Sequence, residues 1–230
     1  MPKSLLLGLV LWLASAGTGA VERIAIIGTG DVGSTLGLEF AEQGYEIVYG
    51  SRSPQGEQAV SLVNKIGVKA SAAHPNEAVK GAGIVVLAVP GLLVEEITRS
   101  LGDLSGKIII DPTNPLIGWE KGDLRLREGI SNAALIQKAA PQAQVVKAFS
   151  TLNVQQMRNP EKSSGPISVI LVGDSHAAKQ KVAQMAHKMG LSPIDLGNLS
   201  AAKYVEGMSI LLLNNRIQGR ERFDFYLQRD

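Results

Sequence analysis

Short apolar segments alternate with longer amphipathic segments along the chain from Val21 onward. Most of the short segments are near-continuous runs of β-branched residues, which is typical of strands that are buried on both faces of a parallel sheet. The longer segments have the apolar period of helices that cover such a sheet. The alternation therefore predicts an α/β fold of the Rossmann type, a doubly wound parallel sheet with a short C-terminal α/β extension.

Each predicted element has the length and composition expected for its type. The predicted strands are residues 23–28, 46–50, 68–71, 84–89, 107–111, 144–149, 167–172 and 193–195. The predicted helices are residues 32–43, 55–66, 75–80, 93–101, 132–140, 175–189 and 201–218. No internal repeat and no low-complexity linker interrupts this order.

Composition and charge exclude several classes of site. The net charge is only +2, from 23 basic and 21 acidic residues without long runs of one sign, so it does not indicate binding to nucleic acid. The absence of cysteine excludes disulfides, thiol nucleophiles and cysteine-ligated metals. His74, His176 and His187 lack the spacing of metal ligands, so we expect no metal site.

The first predicted strand leads directly into a glycine-rich turn that opens a helix. In this context the motif GxGxxG indicates a dinucleotide site, because its glycines allow a tight turn, close approach of the pyrophosphate and close helix–strand packing. The helix N-terminus would supply free N–H groups to the phosphates. The predicted contacts are Gly28, Thr29, Gly30, Asp31, Val32 and Gly33. The alternative is that the glycines serve only a sharp turn.

The end of the second predicted strand distinguishes between the two nicotinamide dinucleotides. An NAD site usually has a carboxylate here for the ribose 2′-hydroxyl, but this strand continues into Ser51, Arg52 and Ser53. The Arg52 guanidinium can pair with a 2′-phosphate and the two hydroxyls can donate hydrogen bonds. The sequence therefore favours NADP(H), with a solvated loop arginine as the alternative.

Prolines follow the fourth and fifth predicted strands. The carboxyl ends of parallel strands line the ligand crevice of an open sheet, so Ala88, Val89 and Pro90 are expected at the nicotinamide end. Pro112 would stiffen the next loop in the same way. Simple termination of the strands is an equally good interpretation of each proline alone.

Residues 1–20 have the form of a secretory signal. Lys3 precedes an apolar run at residues 5–14, and small residues follow up to Ala20, after which cleavage is expected. The run is too short to cross a bilayer, so we expect no stable membrane span. A start codon assigned too far upstream, or an apolar extension packed on the surface, is the alternative. Because NADP(H) chemistry is normally cytoplasmic, the localisation stays open.

Several stretches of the sequence resemble one family. They are IAIIGTGDVG at 24–33, YGSRSP at 49–54, AVPG at 88–91, KAFSTLN at 147–153 and LSAAKYVEGMSILLLNN at 199–215. These stretches resemble the F420-dependent NADP oxidoreductases and the NADPH-oxidoreductase domain of the STEAP metalloreductases, over nearly all of the chain after Ala20. The resemblance implies a Rossmann domain at residues 21–150 and a C-terminal segment at residues 151–230 that closes the substrate cleft.

The resemblance also implies hydride exchange between NADP(H) and a small-molecule redox partner, a deazaflavin or a flavin. It matches Thr29, Ser51 and Arg52 to ribose-phosphate contacts and residues 88–90 to the nicotinamide loop. It places Phe149, Ser150, Thr151, Asn153, Leu199, Ser200 and Ala201 at the second-substrate cleft. The archaeal deazaflavin enzymes have a histidine within the motif at 147–151, so the partner stays open among FMN, FAD and coenzyme F420. The haem-bearing membrane domain of the metalloreductases has no counterpart in this sequence.

Hydride exchange between two stacked rings depends mainly on orientation and requires no dedicated acid or base. Lys147, near a strand end at the cleft side of the sheet, is the one candidate for polarising a substrate, although such a lysine more often extends to solvent. Two other functions stay open: a small imine or hydroxyacid reductase, and a non-catalytic NADP(H)-sensing module. The last predicted helix is strongly apolar at residues 210–213, so we expect a homodimer to cover it.

Overall fold

A six-stranded parallel sheet organises the chain in the computed structural model, which describes residues 21–118, 123–220 and 226–227. Its strands are β1 (Arg23–Ile27), β2 (Glu46–Gly50), β3 (Ala70–Ala73), β4 (Ile84–Leu87), β5 (Ile108–Asp111) and β8 (Gln144–Lys147). Their order across the sheet is β3-β2-β1-β4-β5-β8, and all neighbours are parallel. This order confirms the predicted doubly wound Rossmann fold. The signal-like residues 1–20 lie outside the described residues.

Helices connect the strands and cover both faces of the sheet. They are α1 (Asp31–Glu42), α2 (Glu57–Ile66), α3 (Pro75–Ala78), α4 (Val94–Ser100), α5 (Asn132–Ala139), α6 (Val154–Arg158), α7 (His176–Lys188) and α8 (Ala202–Ile217). Successive residues of β1 divide between two core clusters, with Ile24 and Ile26 in one and Ala25 and Ile27 in the other. Because neighbouring side chains of a strand point to opposite faces, the two clusters lie on the two sides of the sheet.

The second half of the chain adds elements beyond this sheet. Strands β9 (Ser168–Leu171) and β10 (Ser192–Asp195) form a parallel pair, and one antiparallel bridge joins Lys147 to Val172. A short antiparallel hairpin, β6 (Leu116–Ile117) and β7 (Arg125–Leu126), follows β5. The sequence analysis did not predict this hairpin or α6. No helix within residues 21–118, 123–220 and 226–227 has the length and apolar content needed to cross a membrane.

Candidate cofactor and substrate cleft

Gly28 joins the carboxyl ends of three neighbouring strands. Its backbone has a φ of 109°, which favours glycine, and its N–H donates to the carbonyl of Gly50 over 3.0 Å. A Cβ atom at this position would lie 2.1 Å from the carbonyl oxygen of Ala88. The glycine turn after β1 is therefore in direct contact with the loop after β4.

The N-terminus of α1 faces open space. Gly30 caps this helix, no side chain accepts a hydrogen bond there, and a Cβ atom on Gly30 would meet no atom within 4 Å. The first N–H groups of a helix have no partner within the helix, so those of Asp31, Val32 and Gly33 can donate to a ligand. This open approach, with free donors on one side, fits a pyrophosphate group.

The loop after β2 carries the residues predicted to contact the ribose phosphate. The Ser51 hydroxyl accepts from the Ser53 N–H over 3.1 Å and keeps its own proton free to donate. Arg52 is exposed, and none of the ion pairs among the described residues involves it. The amide nitrogen of Gln58 donates to the Thr29 carbonyl over 2.8 Å, which ties the start of α2 to the glycine turn. The predicted contacts Thr29, Ser51 and Arg52 thus lie on two linked loops.

The nicotinamide loop packs against the loop after β5. Ala88 and Val89 are half-buried and Pro90 is exposed, and a Cβ atom on Gly91 would lie 2.0 Å from the carbonyl oxygen of Asn114. The structure therefore brings the strand ends of β1, β4 and β5 together, as the Rossmann order requires.

A cleft of about 460 Å³ begins beside Val32 at the start of α1. Its walls are the loops that follow β5 and β8, helix α6 with the turn after it, and one face of α8. The lining residues are Val32, Pro112, Asn114, Phe149, Ser150, Thr151, Leu152, Asn153, Gln155, Gln156, Asn159, Lys162, Ser163, Ser209, Leu212, Leu213 and Arg216. The cleft has the volume of an ordinary small-molecule site.

The sequence-predicted cleft residues fall into two groups. Phe149, Ser150, Thr151 and Asn153 all line this cleft. The second group, residues 199–201, does not: it forms a 3₁₀ turn before α8 in which Leu199 is buried in the core. The C-terminal segment instead reaches the cleft through the following helix, because one face of α8 from Ser209 to Arg216 lines it.

Two polar atoms without hydrogen-bond partners lie at the cleft. The Asn114 amide nitrogen donates to the Ser150 carbonyl over 2.8 Å, so the Asn114 amide oxygen is the atom left over. That oxygen and the Ser150 hydroxyl are buried and have no partner among the described residues. Leaving a buried polar atom unpaired is costly, and a ligand in the cleft that supplied a donor and an acceptor would satisfy both.

The chain leaves β8 and turns toward the cleft at Phe149. It has a φ of 63°, and it is the only residue other than glycine with a positive φ among those the structure describes. A bulky residue in this conformation costs on the order of 1–3 kcal/mol, and such strain clusters at functional sites. The Phe149 ring is held edge to face against Phe40, with the ring centroids 6.4 Å apart.

Lys147 does not extend to solvent, and this alternative is wrong. Its side chain is fully buried, and its ammonium group lies 2.9 Å from Asp111 Oδ2 and 2.8 Å from Glu206 Oε1. It also donates to the Thr113 carbonyl. The lysine is not among the residues that line the cleft, so its direct contact with a substrate stays unsupported. We call Asp111, Lys147 and Glu206 the Lys147 cluster.

Burial sets the electrostatics of the Lys147 cluster. It raises the pKa of the Glu206 carboxyl, and the charge of Asp111 adds to this, although Lys147 acts in the opposite direction. Asp111 Oδ1 accepts from the N–H and the hydroxyl of Thr113 over 2.8 and 2.6 Å. The sequence analysis missed Asp111 and Glu206. The available signal was the position of Asp111 at the end of β5, directly beside Lys147 in the sheet register.

The charged residues that line the cleft are all cations. Lys162 and Arg216 are exposed at its rim, and no carboxylate or histidine is among the described lining residues. Amide side chains and hydroxyls make up most of the remaining polar surface. An anionic group on a bound molecule would therefore meet favourable charge at this rim.

Comparisons with known proteins agree with this geometry. A family model described as NADP oxidoreductase, coenzyme F420-dependent, matches residues 23–115. The F420-dependent NADP reductase of Methanothermobacter marburgensis is 28% identical over 220 residues, which cover 87% of this chain and 95% of that protein. Metalloreductase STEAP3 of Rattus norvegicus is 30% identical over 191 residues, covering 83% of this chain and 37% of that protein. The chain thus spans little more than a third of the metalloreductases that it matches.

Solved structures show the same relationship. A crystal structure assigned as an F420-dependent NADP reductase from Arthrobacter sp. FB24 has a TM-score of 0.81 and 29% identity, and the match covers 90% of this chain and 99% of that one. A reductive aminase from Aspergillus terreus in complex with NADPH and ethyl levulinate has a TM-score of 0.61 at 17% identity, and the match covers 87% of this chain and 64% of that one, which shows a shared fold.

Proposed function

Because the chain belongs to the F420-dependent NADP oxidoreductase family, we propose that it transfers hydride between NADP(H) and a flavin or deazaflavin partner. The observation that carries this proposal is the position of the cleft, which begins at Val32 beside the free N–H groups of α1. A dinucleotide laid along the strand ends from Arg52 to Pro90 would direct its nicotinamide toward this cleft.

The residues of this chain bind and orient the two reactants. The N–H groups at the start of α1 would hold the pyrophosphate, Arg52 would pair with the 2′-phosphate, and the loop of residues 88–90 would support the nicotinamide. When bound, NADPH supplies a hydride from its nicotinamide ring. The walls of the cleft would hold the partner ring against the nicotinamide ring and exclude water, and orientation of this kind can supply a large part of the rate gain.

The polar groups of the cleft fit a ring that carries both donors and acceptors. The unpaired Asn114 oxygen can accept from a ring N–H, and the Ser150 hydroxyl can donate to a ring carbonyl. Both groups occur on the pyrimidine edge that flavins and deazaflavins share. Lys162 and Arg216 at the rim favour a partner that also carries a phosphate or carboxylate group.

The cleft favours this function over an imine or hydroxyacid reductase. Those reactions need a proton for the nitrogen or oxygen of the substrate, and the described lining includes no carboxyl or imidazole group to provide it. A non-catalytic sensor of NADP(H) would leave the cleft and its unpaired polar atoms without a role.

A homodimer belongs to the same proposal. Tyr204 and Leu211 on α8 are 68% and 59% exposed, although the helix is apolar. Two-fold pairing of α8 with its copy would cover them, and two-fold dimers are the commonest closed assemblies.

The function is tested by mixing the purified protein with NADPH and either riboflavin, FMN, FAD or coenzyme F420 and following the nicotinamide absorbance. We expect turnover, with a KM for FMN about tenfold below that for riboflavin, the effect of roughly one charge-assisted contact. Arg216→Ala should remove this preference, whereas Arg220→Ala, an exposed arginine beyond α8, should retain it. Absence of NADPH oxidation with every partner would refute the proposal.

A further inference from the structure

The ammonium group of Lys147 is fully satisfied by acceptors from three segments. It donates to Asp111 Oδ2 over 2.9 Å, to Glu206 Oε1 over 2.8 Å and to the Thr113 carbonyl. An ammonium group has three N–H donors, so each of them has a partner. Glu206 Oε1 also accepts from the Asn132 N–H over 2.9 Å.

Each member of the Lys147 cluster lies a few residues before a segment that lines the cleft. Asp111 ends β5, and the next residues include Asn114 of the lining. Lys147 ends β8, and Phe149 follows two residues later. Glu206 lies one turn before Ser209 on α8. One buried cation therefore connects three walls that are distant in the sequence.

Stability alone does not explain this arrangement. Removing three ionisable groups from water is costly, and well-packed apolar side chains of similar size often replace a buried ion pair without loss of stability. Lys147 and Glu206 are buried to 99% or more, and one ammonium group faces two carboxyl groups. An apolar side chain in place of Lys147 would fill the space but would not make directional hydrogen bonds to fixed positions.

We propose that Lys147 is a positioning residue, which sets the shape of the partner cleft by fixing α8 and the loops after β5 and β8 to one another. The proposal rests on the proposed function for its kinetic effect. Its structural effect, the coupling of α8 to the two loops, is independent of which molecule the cleft binds.

A second buried lysine provides a matched control. Lys179 of α7 is 8% exposed, and its ammonium group bonds Asp195 Oδ1 over 2.7 Å and the Gly197 carbonyl over 2.8 Å. It thus also joins a helix to the end of a strand. None of these residues lines the cleft, so the loss of the Lys179 ammonium group should reduce stability without changing the cleft.

The experiment compares Lys147→Met with Lys179→Met, and Glu206→Ala with Glu206→Gln. For Lys147→Met and Glu206→Ala we expect the partner KM to rise about tenfold or more, with the Kd for NADPH within about twofold of the wild type. Amide hydrogen exchange should quicken in α8 and in the loop after Asp111. Lys179→Met should leave the KM and this exchange unchanged, and Glu206→Gln, which keeps an acceptor oxygen for Lys147 and Asn132, should restore both.

An unchanged KM and unchanged exchange in Lys147→Met, or equal effects of Lys147→Met and Lys179→Met, would overturn the proposal. If Lys147→Met does not fold, the two Glu206 variants decide, since identical KM values and exchange rates for alanine and glutamine would also overturn it. If none of the tested partners supports NADPH oxidation by the wild type, the proposed function fails. The exchange measurements in α8 and the loop still decide the positioning role in that case.

Discussion

A Cβ atom on Gly33 would lie 2.2 Å from the carbonyl oxygen of Gly28. Helix α1 therefore packs against the turn that precedes it so closely that only glycine fits at position 33. Gly30, between them, has open space where a side chain would stand. We therefore expect the two glycines to be needed for different reasons, close packing at Gly33 and ligand approach at Gly30.

These reasons can be separated by mutation. Gly33→Ala should destabilise the fold by about 1–3 kcal/mol through overpacking, which lowers Tm by several degrees. Gly30→Val should leave Tm nearly unchanged, because its backbone is extended and its side chain meets no protein atom, yet it should abolish NADPH binding. Thermal unfolding and calorimetric titration measure the two effects. Retained NADPH affinity in folded Gly30→Val would contradict the assignment of this turn to the pyrophosphate.

Arg52 provides a test of the preference for NADP(H). Replacing it by alanine should lower NADPH affinity by about 10- to 100-fold, since a hydrogen bond to a charged group is worth roughly 1.5–3 kcal/mol. The affinity for NADH, which lacks the 2′-phosphate, should not change. Arg99→Ala is a suitable control, because this partly exposed arginine pairs with Glu95 on α4. Equal losses for NADPH and NADH would refute a specific phosphate contact.

The raised pKa of Glu206 makes stability depend on pH. In the folded chain Lys147 and Asp111 face this carboxyl, and burial keeps it protonated at pH values where an unfolded chain, with a pKa near 4.5, has lost the proton. The stabilisation is therefore present below the unfolded pKa and lost as pH rises through the folded one. The unfolding free energy of the wild type relative to Glu206→Gln should decrease with rising pH. Urea unfolding from about pH 4.5 to 8 measures this difference, and a constant difference would contradict the prediction.

Substitutions on the exposed side of α8 test the proposed homodimer. Leu211→Glu should convert a dimer into monomers, since it places a charge on a 59% exposed apolar position. Leu212 is the matched control because it lines the cleft, so Leu212→Glu should raise the partner KM without dissociating the protein. Light scattering at about micromolar concentration distinguishes the outcomes. A monomeric wild type would remove the homodimer from the proposal.

The main sheet could be predicted from the sequence because its strands are buried on both faces. Such strands are continuous apolar runs, as in Ile84–Leu87, and their bounds differ from the prediction by only a few residues. Helix α6 was missed because Val154–Arg158 has one turn of mostly polar residues and no apolar period. The hairpin was missed because each of its strands has two residues, too few to show an alternation.

The candidate site could be proposed from the sequence where it depends on local spacing. The glycine turn and Arg52 follow from positions along two neighbouring strands. The Lys147 cluster could not be derived in this way, because Glu206 lies on α8, far from Lys147 in the sequence. The resemblance places residues 199–201 at the second-substrate cleft, whereas the described lining includes the face of α8 that carries Ser209 and not the turn at Leu199.

The three residues of the Lys147 cluster are synthesised at different times. Synthesis proceeds from the N-terminus, so β5 and β8 are complete well before the ribosome has made α8. Asp111 and Lys147 can then form a pair with balanced charge before Glu206 is available. Glu206 arrives last and joins the pair only when its helix docks. Because Glu206 is the last of the three residues to be synthesised, the cluster beside the cleft can be complete only once α8 has been made.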